Sequence, residues 1–427
     1  MRIYLAITFW GQEYRRYFLD FSLASLLAPG NLPAIADKSA ARFLIATPDS
    51  DWAELQAEPT FIAAKKLISF EHVPFNNKSV SDAHKKMLIM SEAHRRLARR
   101  MFEDRAHGIF VYPDMIAATG FIGKLEALWQ KGAVVVMFMN VRFTNEGLIN
   151  EVRGRGLVRP GEPIALSSNE LVRLTLRHMH SEMKRSGFES SYEDYGCSSY
   201  FWVVAPGEDL LFHCGSWIPS LIDYGSIDKH DDSTFESWTL DGDYVAKNFA
   251  KCRNIHFVRD TTELFMISFT PESTVHYSLA PRFLYRVPFL RTTLKVLRAH
   301  LFLYEQATMD WLTKDQFRLP VRFRGGNSPE SQWRRVEDHA ARIIGRIERR
   351  GNLSDNIVEI FCILPIRTAL LFHSLYVNRT AIARRLNQVV HGDRVAWRRV
   401  TWRFRQTIYR LLGRHFRERQ PTKLPPD

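Results

Sequence analysis

Cysteine is scarce in this chain, and its four copies, Cys197, Cys214, Cys252 and Cys362, form no C-x-x-C pair. That spacing excludes a zinc ribbon and a disulfide scaffold and predicts four free thiols in a reducing cytoplasm. Long apolar runs are also missing: none reaches the ~18–20 residues that a membrane span requires. The nearest, Ile357–Val377, is interrupted by Glu359, Pro365, Arg367 and His373 and reads as a core or interfacial helix. The run from Met1 to Trp10 is short and passes into Gly11-Gln12-Glu13 without a small-residue cleavage site. It predicts a buried first strand rather than a signal peptide. No G-x-G-x-x-G follows that strand, and G-x-x-x-x-G-K-[ST], H-E-x-x-H and G-x-S-x-G do not occur. Dinucleotide oxidoreductases and P-loop enzymes are thereby disfavoured, and a hydrolase has no positive support. Acidic residues are in deficit, 46 against 59 Lys and Arg, for a net charge of +13. Such an excess favours a polyanionic neighbour: nucleic acid, an anionic membrane face or a phosphate-bearing ligand.

What is present is a regular alternation. Apolar runs at Ile3–Trp10, Arg42–Thr47, Leu67–Val73, Gly108–Tyr112 and Ala133–Met139 are separated by Tyr14–Leu27, Trp52–Lys66, Asp82–Asp104 and Phe121–Lys131. The intervening segments carry helical spacing. Asp51 and Ser81 are placed as N-caps. Strands alternating with helices of this length predict an α/β fold with a mostly parallel sheet covered on both faces. A chain of 427 residues suggests two or three domains, divided here as 1–145, 146–284 and 285–427. The middle section is α+β in texture. Ser167-Ser168-Asn169-Glu170 is a capping box that opens a helix to about Lys184. Phe201–Ala205, Leu210–His213 and Ile255–Val258 read as strands, and a helix starts near Asp243. Beyond 285 the expected elements are Arg-rich and aromatic helices: Ser328–Arg350, Ser354–Asn378, Thr380–Val390 and Arg394–Arg419.

Ligands of open α/β sheets bind outside the carboxyl ends of the strands. Those ends are Thr8-Phe9-Trp10-Gly11, Thr47-Pro48-Asp49, His72-Val73-Pro74, Tyr112-Pro113-Asp114 and Asn140-Val141-Arg142. Asp114 is pivotal. A carboxylate there is a hard oxygen ligand suited to Mg²⁺ or Mn²⁺ bridging a diphosphate; alternatively Pro113-Asp114 starts a turn and caps the next helix. Arg142 offers a planar fork for phosphate oxygens or an ion pair with Glu146. In Asp241-Gly242-Asp243-Tyr244 a glycine between carboxylates suggests a turn into a helix, with Asp241 or Asp243 as N-cap.

With Tyr112-Pro113-Asp114 after the fourth strand, the order of elements resembles a glycosyltransferase of the GT-A fold over about residues 1–280. It also resembles a loosely described group of bacterial proteins with a similar P-D at that place. The usual acidic D-x-D motif is matched here at its last Asp and not at its first. The resemblance implies a Rossmann-like half that binds a nucleotide-sugar as co-substrate, with Thr8, Trp10 and Asp49 facing the nucleoside. Lys85 or Lys86 would reach a phosphate, unless both lie on a solvated helix face. Arg142 would hold the diphosphate. Asp114 would hold a divalent metal, Mn²⁺ or Mg²⁺, with His213 completing its shell; a hydrogen-bonded structural role is the other reading of His213. A general base near the acceptor hydroxyl would be one of Asp241, Asp243, Asp260 and Glu263. The acceptor implied is a bacterial surface glycan or a lipid-linked sugar.

Between His391 and Gln420 nine arginines stand against two acids, interleaved with Trp397, Trp402, Phe404, Tyr409 and Phe416. This pattern fits a helix on an anionic membrane surface and places a cytoplasmic protein peripherally on the inner membrane face. A nucleic-acid surface and a helix simply packed on the body are the other readings, and no nucleic-acid motif supports the former. The alternative to an enzyme is a non-catalytic α/β protein that docks on membrane or nucleic acid through these helices. Convergence of the middle-section carboxylates on Asp114 would distinguish the two.

Overall fold

The apolar runs at the N-terminus form the middle of a sheet. β1 (Ile3–Thr8) is buried throughout and β2 (Arg42–Thr47) almost so, whereas β3 (Ser69–Pro74) is half-exposed because it is the sheet's edge. β4 (His107–Phe110) is again wholly buried. The computed structural model describes residues 2–75, 83–139, 141–189, 199–236, 238–249, 254–274, 296 and 311–350. The chain divides into two compact units, Met1–His276 with Phe302–Ile344, and Tyr277–Leu301 with Gly345–Asp427. The strands and the site described below belong to the first. The expected helices Ser354–Asn378, Thr380–Val390 and Arg394–Arg419, with the basic surface at 391–420, lie outside the described residues. Among the described residues no helix is long and apolar enough to cross a membrane.

The remaining strands are β5 (Met115–Ala117), β6 (Val135–Phe138), β7 (Arg142–Thr144), β8 (Ser199–Ala205), β9 (Asp209–Cys214), β10 (Ile218–Asp223), β11 (Ile255–Phe257), β12 (Met266–Thr270) and β13 (Val321–Arg324). Seven of them make the main sheet in the order β3-β2-β1-β4-β10-β6-β11. All pairings are parallel except those of β10, which runs antiparallel between β4 and β6. The fold is therefore α/β with a Rossmann-like, mainly parallel sheet. From β1 the chain builds outward through β2 and β3, then returns to lay β4 on the other side of β1. The carboxyl ends of β1 and β4 consequently flank the switch point of the sheet, the place at which open α/β sheets take their ligands. Two smaller sheets, β5-β12-β7 and β13-β9-β8, complete this unit.

Several boundaries differ from expectation for local reasons. The single helix expected over Trp52–Lys66 is two, Asp49–Leu55 and Pro59–Lys65. Pro59 lacks the N–H that would continue the first helix and disfavours helical backbone at Glu58. Pro48 occupies the N-cap, so Asp51 lies inside the first turn. The capping box at Ser167 and Glu170 is formed, but its helix ends at Leu176. Residues 178–180 are drawn instead toward β7, where Thr144 N–H donates to His178 O (2.8 Å) and Phe143 bridges Met179. The first helix runs from Gln12 to Leu26 and winds wider between Phe18 and Leu23.

Candidate functional site

After β4 the chain turns at Pro113-Asp114 and enters β5 in the second sheet. The turn caps no helix; the next one, Phe121–Gln130, has Gly120 as N-cap. Asp114 is pinned from behind, its backbone carbonyl accepting from Phe269 N–H at 3.0 Å. In the same small sheet Ser268 of β12 pairs with Met115 on one side and Arg142 on the other. The second sheet thus spaces Asp114 and Arg142 across one intervening strand. Asp114 keeps part of its surface open, yet surrounding protein lifts its carboxyl to about 6, against the pull of Arg142. Arg142 itself is substantially exposed. Its ion-pair partner is Glu182, at 3.4 Å, while Glu146 accepts from Thr144 Oγ1 at 2.5 Å.

Two tyrosine phenols respond to the Asp114 charge. Burial, then the Asp114 charge, raise the phenol of Tyr14, although nearly half of that side chain is exposed. Tyr112 is raised by burial first, next by Asp114 and then by Asp241.

The predicted nucleoside residues share one edge. Thr8 ends β1, its hydroxyl buried without a hydrogen-bond partner among the described residues. Trp10 follows, half-buried and edge-on to Phe75 beyond β3 (5.9 Å, 88°). Asp49, at the start of its helix, is 87 % exposed and 3.9 Å from His72 Nδ1. His72 in turn stacks on Trp52 at 4.8 Å. Lys86 is exposed on the helix Ala83–Glu103; the Lys85 side chain and Asn140 lie outside the described residues.

Asp51, read from sequence as a cap, is the anchor of this edge. Its Oδ2 accepts from Gly11 N–H at 2.8 Å, and its Oδ1 pairs with the buried Arg15, which also pairs with Glu54. Gly11 has φ +83°, a left-handed conformation that side-chain-bearing residues rarely adopt. Glycine thus permits the bend after β1, and Asp51 holds it. The clue in the sequence was the second acid of Asp49-Ser50-Asp51, but only the fold brings Arg15 and Gly11 to it.

The four candidate bases differ in their engagements. Asp243 accepts from Thr234 Oγ1 and pairs with Lys247 (2.8 Å). Asp260 accepts from Thr262 and pairs with Arg324 at 2.6 Å. Glu263 lies 2.8 Å from His256 Nε2. Asp241 is the N-cap of the helix Gly242–Asn248, accepting from Asp243 N–H at 2.9 Å, and is the one whose charge is felt at Tyr112. That helix is held by Tyr244, whose phenol is bonded to His230 Nε2 (2.6 Å) and Tyr224 (3.2 Å).

His213 is placed elsewhere. It lies buried on β9 in the third sheet, bonded through Nδ1 to Phe317 O at 3.0 Å, and burial pushes its imidazole down to about 4. Among the described residues no three His, Cys, Asp or Glu side chains gather where a metal ion could sit. Asp114 stands there as a single carboxylate, so the described residues do not fit a resident divalent cation. Of the cysteines, Cys214 is a buried free thiol, and the other three lie outside the described residues.

No protein-family model matches the chain, and no curated protein matches its sequence. Solved structures do. S. aureus TarS 1–349 in complex with UDP-GlcNAc is 10 % identical, with a TM-score of 0.32 over 73 % of this chain and 74 % of that one. A second S. aureus TarS structure is 10 % identical, TM-score 0.22, over 33 % and 22 %. Mouse xyloside xylosyltransferase 1, apo form, is 13 % identical, TM-score 0.21, over 38 % and 63 %. This chain thus spans about a fifth of the length of the second TarS structure. The fold itself follows from strand order and direction.

Proposed function

We propose that the chain is a nucleotide-sugar-dependent glycosyltransferase that binds its donor at the β1/β4 switch point and uses Asp241 as general base. The observation that carries this reading is the strand order, which sets the carboxyl ends of β1 and β4 side by side and so brings Thr8, Trp10 and Asp114 to one edge of the sheet. Thr8, Trp10 and Asp49 would line the nucleoside. Arg142 would meet the diphosphate, its planar fork matching phosphate oxygens, and Asp114 would accept hydrogen bonds from the donor sugar. In the transfer the acceptor hydroxyl oxygen attacks the anomeric carbon, and the bond from that carbon to the diphosphate breaks. The electron pair leaves on the diphosphate, and the hydroxyl proton passes to the Asp241 carboxylate. One displacement with one base inverts the anomeric configuration. A bacterial surface glycan or a lipid-linked sugar is the acceptor proposed, in keeping with the basic residues 391–420.

The test is a thermal-shift screen of the full chain against nucleoside diphosphates and nucleotide-sugars, with and without Mn²⁺. A ligand specific to the folded state adds ~2.7 kcal/mol of stability at a hundred times its Kd. A rise confined to one nucleotide, present without Mn²⁺, is expected. A folded sample that no nucleotide stabilises would overturn the assignment and favour the docking protein instead.

A further inference from the structure

The short segment before Asp241 carries a feature that the donor site does not use. Trp238 is 53 % exposed, one of four large apolar side chains so exposed among the described residues. Single exposed apolar residues are ordinary on protein surfaces; this one is tied by hydrogen bonds to the segment that carries Asp241. Trp238 N–H donates to Thr234 O at 2.9 Å. The hydroxyl of the same Thr234 donates to Asp243 Oδ2 (2.9 Å) and receives Lys247 Nζ (3.2 Å). Asp243 N–H, finally, donates to Asp241 Oδ1. A continuous hydrogen-bonded path therefore fixes the backbone of Trp238 relative to the Asp241 carboxylate. Three residues of chain cannot separate their Cα atoms by more than roughly 11 Å.

We infer that Trp238 is the platform of the acceptor subsite and that the acceptor presents a pyranose ring there; this rests on Asp241 being the base. The electron-rich face of an indole attracts the polarised C–H groups on one face of a sugar ring, leaving the ring's edge hydroxyls for a neighbouring carboxylate. Asp241 is that carboxylate. A protein or lipid partner would instead need a contiguous apolar surface, and the neighbours of Trp238 argue against one. Glu236 is exposed, Thr239 is half-buried, and Leu240 and Phe235 are turned into the core.

The full chain is tested by saturation-transfer NMR with the methyl α- and β-glycosides of glucose, galactose, mannose and N-acetylglucosamine, each with the nucleoside diphosphate found by the thermal-shift screen. At least one glycoside should receive saturation, strongest on the protons of one ring face. Trp238→Ala should reduce that signal roughly three- to ten-fold, and Trp238→Phe should retain part of it. The nucleotide-induced thermal shift should be unchanged in both variants, which reports that each is folded with its donor site intact. Unchanged saturation in Trp238→Ala, or no saturation of any glycoside by wild-type protein that binds nucleotide, would overturn the platform. Failure of wild-type protein to bind any nucleotide would instead remove the transferase reading beneath it.

Discussion

Replacing Asp241 by asparagine separates the two tasks assigned to that side chain. As N-cap it accepts from Asp243 N–H at 2.9 Å, and asparagine caps a helix about as well as aspartate. What the fold loses is a negative charge at the start of the helix Gly242–Asn248, worth ~0.3–1 kcal/mol. For a chain of this size that lowers Tm by no more than about 4 °C. What the chemistry loses is the proton acceptor, worth about 10²- to 10⁴-fold in kcat, or roughly 3–5.5 kcal/mol of barrier. The assay is release of nucleoside diphosphate together with glycosylated product, with kcat and donor KM measured separately. The expected result is a collapse of kcat at nearly constant donor KM and nearly constant Tm. Asp241→Ala should lose the cap as well and fall a further ~0.5–2 kcal/mol in stability. Asp243→Asn and Asp260→Asn give up ion pairs with Lys247 and Arg324, Glu263→Gln alters the contact with His256, and all three should keep kcat within a few-fold of wild type. An Asp241→Asn enzyme with kcat within three-fold of wild type would refute the assignment.

Two further outcomes follow from the same geometry. Burial lifts the Asp114 carboxyl to about 6, above its value of ~3.9 in the unfolded chain. The folded state therefore binds the proton more tightly, and this group's contribution to stability is lost as pH rises from about 4 through 6. Asp114→Asn should accordingly be more stable than wild type above pH 6, by up to about 3 kcal/mol, with the difference vanishing below pH 4, while donor turnover falls. Urea unfolding at pH 4, 6 and 8 checks this, and a pH-independent difference would contradict it. Asp51→Ala leaves Arg15 with the exposed Glu54 and releases Gly11 N–H, at a cost of about 3 kcal/mol. Asp51→Asn, which retains an acceptor for Gly11, should lose less; equal urea midpoints for Asp51→Ala and wild type would show that the tether is not holding the loop.

The core of the fold was legible because burial on both faces imposes a strong local signature. β1, β2, β4 and β6 are short apolar runs with helical spacing between them, and a parallel sheet is what such a sequence can bury. The capping box at Ser167 and a cap within Asp241-Gly242-Asp243 were legible for a similar reason, since a cap is made with backbone two or three residues away; the structure gives that cap to Asp241. The second sheet was not. β5 and β7 have three residues each, too few for a period, and they exist because β12 pairs with both. The helix expected to reach Lys184 stopped at Leu176 for the same cause, a long-range pairing with β7 outweighing local propensity.

The candidate site divides along the same line. Sequence alone put Thr8, Trp10, Asp49, Asp114 and Arg142 at the carboxyl ends of strands, because strand order along the chain and the position of such ends follow from local pattern. It proposed four carboxylates as bases with nothing to choose among them, and it took Asp51 for a cap. Giving Asp51 to Arg15 and Gly11 required knowing which groups meet in the folded chain, and Asp241 as base is a proposal built on that fold. Asp260 is engaged by Arg324 and Glu263 by His256, partners that reach them only through the folded chain. Electrostatic interaction falls with distance in space and takes no account of distance along the chain. The types of residue at the site were therefore written locally, whereas which of them meet was decided by tertiary structure.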